Sequence, residues 1–323
     1  MLKSIKNNKV AVVLLLLTAV ACAFMLKERY LALLLATICV YIMAVTGLDI
    51  LFGYTGQVSF GHAGFFAIGA YTSTLLSMHT PVPAAITVWI GALLSMLFGV
   101  VVAFPASKLV KHFLSLLTIA FGNMVYIFVS VTDPLTNGYS GIVGIPDISV
   151  FGYTFKSNQS YFYLLAAVCA VIVLLKRNLI NSRIGRAFIA VRENPHAAAG
   201  MGINVRNYKV LAFAISAFLA GLAGAFYAHL IGFISPDTFM NTQSNLFMTM
   251  LLFGGIATIS GPVIGSVILL IVTELMQSYV RAQMLIYAFF ILVVLFFLPN
   301  GVVGLYGKAR AALKKIPKAT REA

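Results

Sequence analysis

Long apolar runs, repeated down almost the whole chain, are what most restrict its fold. Val10 to Leu26, Leu31 to Phe52, Ala84 to Phe104, Phe113 to Val131 and Val210 to Ile231 are each near the ~20 residues that carry a helix through ~30 Å of hydrocarbon. Of the 323 residues 61% are hydrophobic and only 9% charged, with a mean hydropathy of +1.00, which excludes a soluble domain. Lipid offers backbone amides and carbonyls no partner, so apolar spans must satisfy them internally. The expectation is an all-α fold: a polytopic transmembrane helical bundle of about 8–10 spans, counting broken or short helices.

The net charge of +14 resembles that of a nucleic-acid binder, but its placement argues otherwise. The basic residues gather at Lys3, Lys6 and Lys9, between residues 176 and 209, and in the tail from Lys308 to Arg321. Lys and Arg clustered between spans mark the cytoplasmic side, so both termini and the 176–209 loop are expected there and no nucleic acid is implied. Residues 1–307 then form a single transmembrane domain with that cytoplasmic loop inside it, and 308–323 a basic cytoplasmic tail. Ala19-Val20-Ala21 after the first apolar run imitates a signal-peptide cleavage site, although a polytopic protein commonly keeps its first span as an anchor.

The longest polar interruption is SRIGRAFIAVRENPHAAAGMGINVRNYK, Ser182 to Lys209. From Lys176 onward it carries Arg177, Arg183, Arg186, Arg192, Arg206 and Lys209 against the single acid Glu193. Asn194 can cap a helix start, Pro195 suits its first position, Ala197, Ala198 and Ala199 propagate it, and Gly200 and Gly202 can stop it. A stubby helix with tiny side chains lets another protein's groove approach its backbone, with Arg192 and Glu193 at the rim. The same pattern also fits a basic loop that sets topology and rests on anionic headgroups.

Gly53 to Leu76 is apolar yet carries Gly53, Gly56, Gly61, Gly64 and Gly69 together with Gln57, Ser59 and His62. Each glycine costs a helix about 1 kcal/mol relative to alanine, so this density predicts a broken or closely approached helix. Two readings follow: close helix packing with Ser59 and His62 hydrogen-bonded to neighbours, or the wall of a permeation path offering Gln57, Ser59, Gly61, His62 and Gly64 to a solute. Further on, Asn245 to Gln277 is interrupted at Gly254-Gly255 and again at Ser260-Gly261-Pro262. A single crossing would put the basic tail outside, so this stretch is expected to enter and return as two short pieces. Leu51-Phe52-Gly53 and Leu252-Phe253-Gly254 echo one another, each opening a glycine-interrupted stretch. Asp133 to Ser160 reads as an external loop, Tyr161 to Leu175 as a span needing helical extension, and Leu285 to Leu298 as the last span.

Cys22, Cys39 and Cys169 stand isolated in apolar runs, with no spacing for metal or redox work. His62 has no second ligand nearby, and no metal site is expected. No GxxxxGK[ST], HExxH or GxSxG stretch occurs, so the chain carries no P-loop and no catalytic constellation. A transporter of this kind borrows its energy, either from a partner or from an ion gradient through an intramembrane acid such as Asp49 or Glu274.

LFGYTGQVSFGHAGFFAIGAY (51–71), NGYSGIVGIP (137–146), SRIGRAFIAVRENPHAAAGMGINVRNYKVLAF (182–213), SPDTF (235–239) and GGIATISGPVIGSVI (254–268) occur in that order. This combination resembles the M-type membrane subunit of branched-chain amino-acid ABC importers, in the permease family that also includes ribose-type sugar permeases. The resemblance covers most of the chain; the first span matches only in character. It implies a non-enzymatic permease in the bacterial inner membrane, paired with a second, homologous permease subunit. It also implies two cytoplasmic ATP-binding subunits, which hold the ATP and Mg, and a periplasmic solute-binding protein. Arg192 to Gly202 would be the coupling helix seated in the ATPase, with Arg192, Glu193, Ala197, Ala198, Met201 and Gly202 as its docking residues. The expected cargo is Leu, Ile or Val, or a similar small amino acid or amide.

Overall fold

A computed structural model describes residues 29–107, 111–150, 153–275 and 301–302. The first apolar run with its cleavage-like site, the Leu285 to Leu298 span and the tail lie outside the described residues.

Among the described residues five helices are long and apolar enough to cross a membrane: Arg29–Tyr54, Ala84–Ala106, Phe113–Val131, Asn158–Asn181 and Val205–Ile231. The first is α1 (Arg29–Leu48) continued by a π-helical turn, Asp49–Tyr54. After a non-helical stretch come α2 (His62–His79), α3 (Ala84–Ala106) and α4 (Lys111–Val131). The Asp133 to Ser160 segment is more ordered than a loop. It holds the one-turn α5 (Asp133–Thr136) and β1 (Ile142–Val143), β2 (Ser149–Val150) and β3 (Tyr153–Thr154). Next come α6 (Asn158–Asn181), α7 (Arg183–Glu193), α8 (Pro195–Gly200) and α9 (Val205–Ile231). After β4 (Phe233–Ile234) come α10 (Asn241–Gly254) and α11 (Gly261–Leu275). The two-residue strands pair antiparallel, β1 with β4 and β2 with β3, so two connections clasp each other in an otherwise helical fold.

The core is α9 wrapped by α1, α2 and α3. Close backbone approach holds it: a Cβ on Gly224 would strike Phe66 O, one on Gly69 would strike Gly221 O, and one on Gly99 would strike the Ala217 Cβ. With helices this near, small side chains and hydroxyls do the work of large ones. Ser95 Oγ donates across the seam to Phe65 O or Ala217 O, at 3.1 and 2.9 Å. Where space opens, aromatic rings fill it, as Phe65 does against Phe121 and Phe213.

Cys39 on α1 and Cys169 on α6 are buried free thiols. One sequence expectation changes here. Lys176, counted among the cations that set topology, is 2% exposed and sits inside the bundle.

Candidate functional site

α1 ends badly by design. A π turn carries one residue too many per turn, and here it delivers Asp49 and Tyr54 inward before the helix stops at Thr55, whose Oγ1 donates to Leu51 O at 2.6 Å. Gly56 then takes φ +70, a left-handed geometry that favours glycine. The backbone stays non-helical until His62. Such a gap leaves amides and carbonyls without intrahelical partners, and side chains from two other helices supply some of them. Phe60 N donates to Thr118 Oγ1 (3.1 Å) on α4, and Ala63 N to Ser244 Oγ (2.8 Å) on α10. His62 bridges inward, with Nδ1 3.1 Å from Ser59 Oγ and Nε2 2.7 Å from Ser216 Oγ on α9.

A second gap separates α10 from α11. Gly254 and Gly265 let the two helices close into an antiparallel hairpin, since a Cβ at either would strike backbone carbonyls of Gly261 or Met250. The connecting turn holds Gly255 at φ +118 and Ala257 at φ +56, the latter a strained conformation for a residue with a Cβ. Thr258 Oγ1 donates to Gly255 O (2.8 Å) and accepts from Gly261 N (2.9 Å), closing the turn. The expected pair of short pieces is therefore present, with the break at residues 255–260 and Gly261-Pro262 opening α11.

The two gaps meet. Asp49 Oδ1 accepts from Ala257 N (2.8 Å) while Oδ2 accepts from Lys176 Nζ (2.6 Å), and the same ammonium donates to Thr258 O (3.0 Å). The ion pair is fully enclosed, with Asp49 at 0% exposure. Two charges taken from water cost several kcal/mol each, and only mutual attraction plus filled hydrogen-bonding positions sustains them. Gly53 must be glycine here because a Cβ would collide with Asp49 Oδ1. One buried pair thus locks α1, α6 and the α10–α11 turn into a junction.

The polar arm, residues 182–204, plugs into this junction. Ser182 Oγ caps α7 by accepting from Ile184 N and Gly185 N, and Asn194 Oδ1 caps α8 by accepting from His196 N (3.0 Å) and Ala197 N (3.1 Å). α7 was not anticipated, although Ala187, Phe188 and Val191 form a buried stripe at helical spacing that signals it. From its last turn Arg192 Nη1 donates to Gly53 O, and its aliphatic stem lies over Gly56, where an added Cβ would sit 3.3 Å from Arg192 Cγ. Gln57 Nε2 donates to Lys209 O (3.2 Å) beyond the arm's other end.

Several site expectations are placed differently by this geometry. Arg192 reaches into the membrane-spanning body rather than only offering charge at a rim, and Ala198 is buried. Glu193, Ala197, Met201 and Gly202 face outward, Met201 with 84% exposure, and a Cβ on Gly200 or Gly202 meets nothing within 4 Å. Among the described residues Gln57, Ser59, Gly61, His62 and Gly64 are buried against other helices. Gly61 and Gly64 are contact points with α4, at Thr118 O and Gly122 Cα. Asp49, considered as an ion-coupling acid, has both oxygens occupied. Glu274 lies in the last turn of α11. Among the described residues no three His, Cys, Asp or Glu side chains converge as a metal would require.

A family described as the branched-chain amino acid transport system permease component matches residues 30–299. The high-affinity branched-chain amino acid transport system permease protein LivM of Escherichia coli is 28% identical, covering 92% of this chain and 75% of its own. LivH of the same bacterium, a permease protein of the same transport system, is 27% identical over 82% of this chain and 91% of its own. A nucleoside ABC transporter permease protein, NupC of Lactococcus lactis, is 28% identical over 76% and 85%. No solved structure matches. With five apolar spans among its described residues, paired helix breaks and a match along most of its length, the chain belongs to the permease component family of branched-chain amino acid transport systems.

Proposed function

We propose that this chain is the membrane-spanning permease subunit of an ATP-driven importer in the bacterial inner membrane, moving Leu, Ile and Val delivered by a periplasmic binding protein. It pairs with a second, homologous permease subunit, as the similarity to both LivM and LivH suggests. Two ATP-binding subunits hold the ATP and Mg and dock on the outward surface of α8, around Glu193, Ala197, Met201 and Gly202. On this reading the arm and both termini are cytoplasmic, consistent with the excess of Lys and Arg there.

The observation that carries the proposal is the Arg192 to Gly53 hydrogen bond. A partner that shifts α8 also shifts α7, and α7 holds the carbonyl at the edge of the junction where α1, α6 and the α10–α11 turn lock together. Movement below is thereby converted into rearrangement of the spans. An ion-coupled mechanism lacks comparable support, because Asp49 is neutralised by Lys176.

The test is uptake into liposomes holding this chain with its partner permease, ATP-binding subunits and binding protein. Accumulation of leucine, isoleucine and valine should require hydrolysable ATP and persist with ionophore. Uptake by this chain alone, driven by a proton or sodium gradient, would overturn the reading. Preference for nucleosides would move the cargo toward that of the NupC relative while keeping the mechanism.

A further inference from the structure

Away from the junction, α3 and α9 leave an open groove of about 330 Å³ at the end where α9 follows the polar arm. Val100 and Phe104 line one wall, Val210, Leu211 and Ala214 the other, and Arg206 with Asn207 forms the mouth. The Arg206 guanidinium lies over the Phe104 ring, its Cζ 3.8 Å from the centroid. Its Nε is buried with no hydrogen-bond partner. One turn further along α9, Lys209 Nζ donates to Ser107 O at 3.5 Å, a long contact that leaves its other protons available.

The mouth is cationic, carries an unsatisfied N–H donor, and opens beside an apolar slot at the edge of a membrane-spanning body. A buried N–H without an acceptor costs about 1–3 kcal/mol, and a phosphate oxygen is the strongest acceptor a bilayer surface supplies. Contact with Phe104 holds the guanidinium, so it need not be ordered when the anion arrives. The apolar walls suit the first carbons of an acyl chain and would repel a hydrated small anion. We infer that this groove binds one anionic phospholipid, its phosphate on Arg206 with Lys209 beside it and one acyl chain between α3 and α9.

Binding here would brace the first turn of α9, immediately after the polar arm, so lipid composition can influence how firmly the arm is held. The inference does not depend on the cargo or the energy source.

The test is native mass spectrometry of the purified full-length protein in detergent, titrated with phosphatidylglycerol or phosphatidylcholine. The unmodified protein should retain one phosphatidylglycerol in preference to phosphatidylcholine. Arg206→Gln should weaken that retention about tenfold, the loss of one charge-assisted contact worth about 1.4 kcal/mol. Arg186→Gln, which removes the same charge from an exposed position on α7, should leave it unchanged. Leu211→Trp, which keeps every charge and fills the slot, should also abolish it. Equal loss in the Arg186 variant, retention by the Leu211 variant, no preference for the anionic lipid, or displacement by millimolar inorganic phosphate would each overturn the assignment.

Discussion

The break after α1 and the break between α10 and α11 solve one problem in opposite ways. The first spans Thr55 to Gly61 and is held by side chains arriving from elsewhere: Thr118, Ser244, and Ser216 through His62. The second, at residues 255–260, is held by backbone proximity, with Gly254 and Gly265 letting α10 and α11 touch and Thr258 closing its own turn. A polar net can be retuned by small shifts of several helices, whereas a glycine seam is either closed or open. Among the described residues the polar arm meets the edge of the first break, where Arg192 holds Gly53 O, and Gln57 in that break holds Lys209 O just past the arm's other end. The second hears of the arm through the Asp49–Lys176 pair.

The sharpest way to break that arrangement is at the pair both breaks share. Lys176→Met strands a buried carboxylate and should cost about 3–5 kcal/mol, seen as a large drop in the thermal midpoint in detergent. Exposure of Cys39 and Cys169 to a thiol-reactive dye gives the readout, since both are buried in the fold. Adding Asp49→Asn removes the stranded charge and should recover most of the loss; no recovery would mean the pair is not what joins the breaks. Next comes the glycine seam. Gly265→Val drives a side chain into Met250 O and should cost about 3 kcal/mol, whereas the same change at Gly200, in open space, should barely register in that assay.

The polar net should give way more gently. Ser216→Ala leaves His62 Nε2 without its partner, for a loss of about 1–2 kcal/mol by the same thermal assay, while Ser216→Thr should keep most of the stability. The smallest effect has the opposite sign. Ala257→Gly relieves a left-handed alanine and should stabilise the turn by under about 1 kcal/mol, provided its amide still reaches Asp49 Oδ1. A destabilised Ala257→Gly protein would show that the turn is not strained.

Much of this was legible in the residues. Apolar runs with ladder-satisfying helices follow from composition alone, and the extension of the short Tyr161 to Leu175 run to Asn158–Asn181 follows from the thickness of a bilayer. Both breaks were announced by glycine density and by Pro262. The Leu51-Phe52-Gly53 and Leu252-Phe253-Gly254 echo points to the place where the two breaks meet. What could not be read is which distant residues close the gaps. Lys176 reads like any loop cation beside Arg177, yet it folds inward to pair with Asp49, 127 positions away. His62 and Ser59 carry the same letters whether they face a solute or Ser216. Ala198, grouped with the outward arm, is the buried residue of α8, and Arg192, though exposed on α7, reaches Gly53 O.

What separates a mechanical arm from an inert one is the number of solute molecules moved per ATP in the reconstituted importer carrying Arg192→Ala. Glu193, Ala197, Met201 and Gly202, proposed to meet the ATP-binding subunits, keep their side chains in that variant, so ATP hydrolysis and assembly should stay near normal while leucine uptake per ATP falls at least about tenfold, one lost coupling interaction of about 1.4 kcal/mol or more. An unchanged ratio of uptake to hydrolysis would show that force reaches the junction by some route other than Arg192 and Gly53.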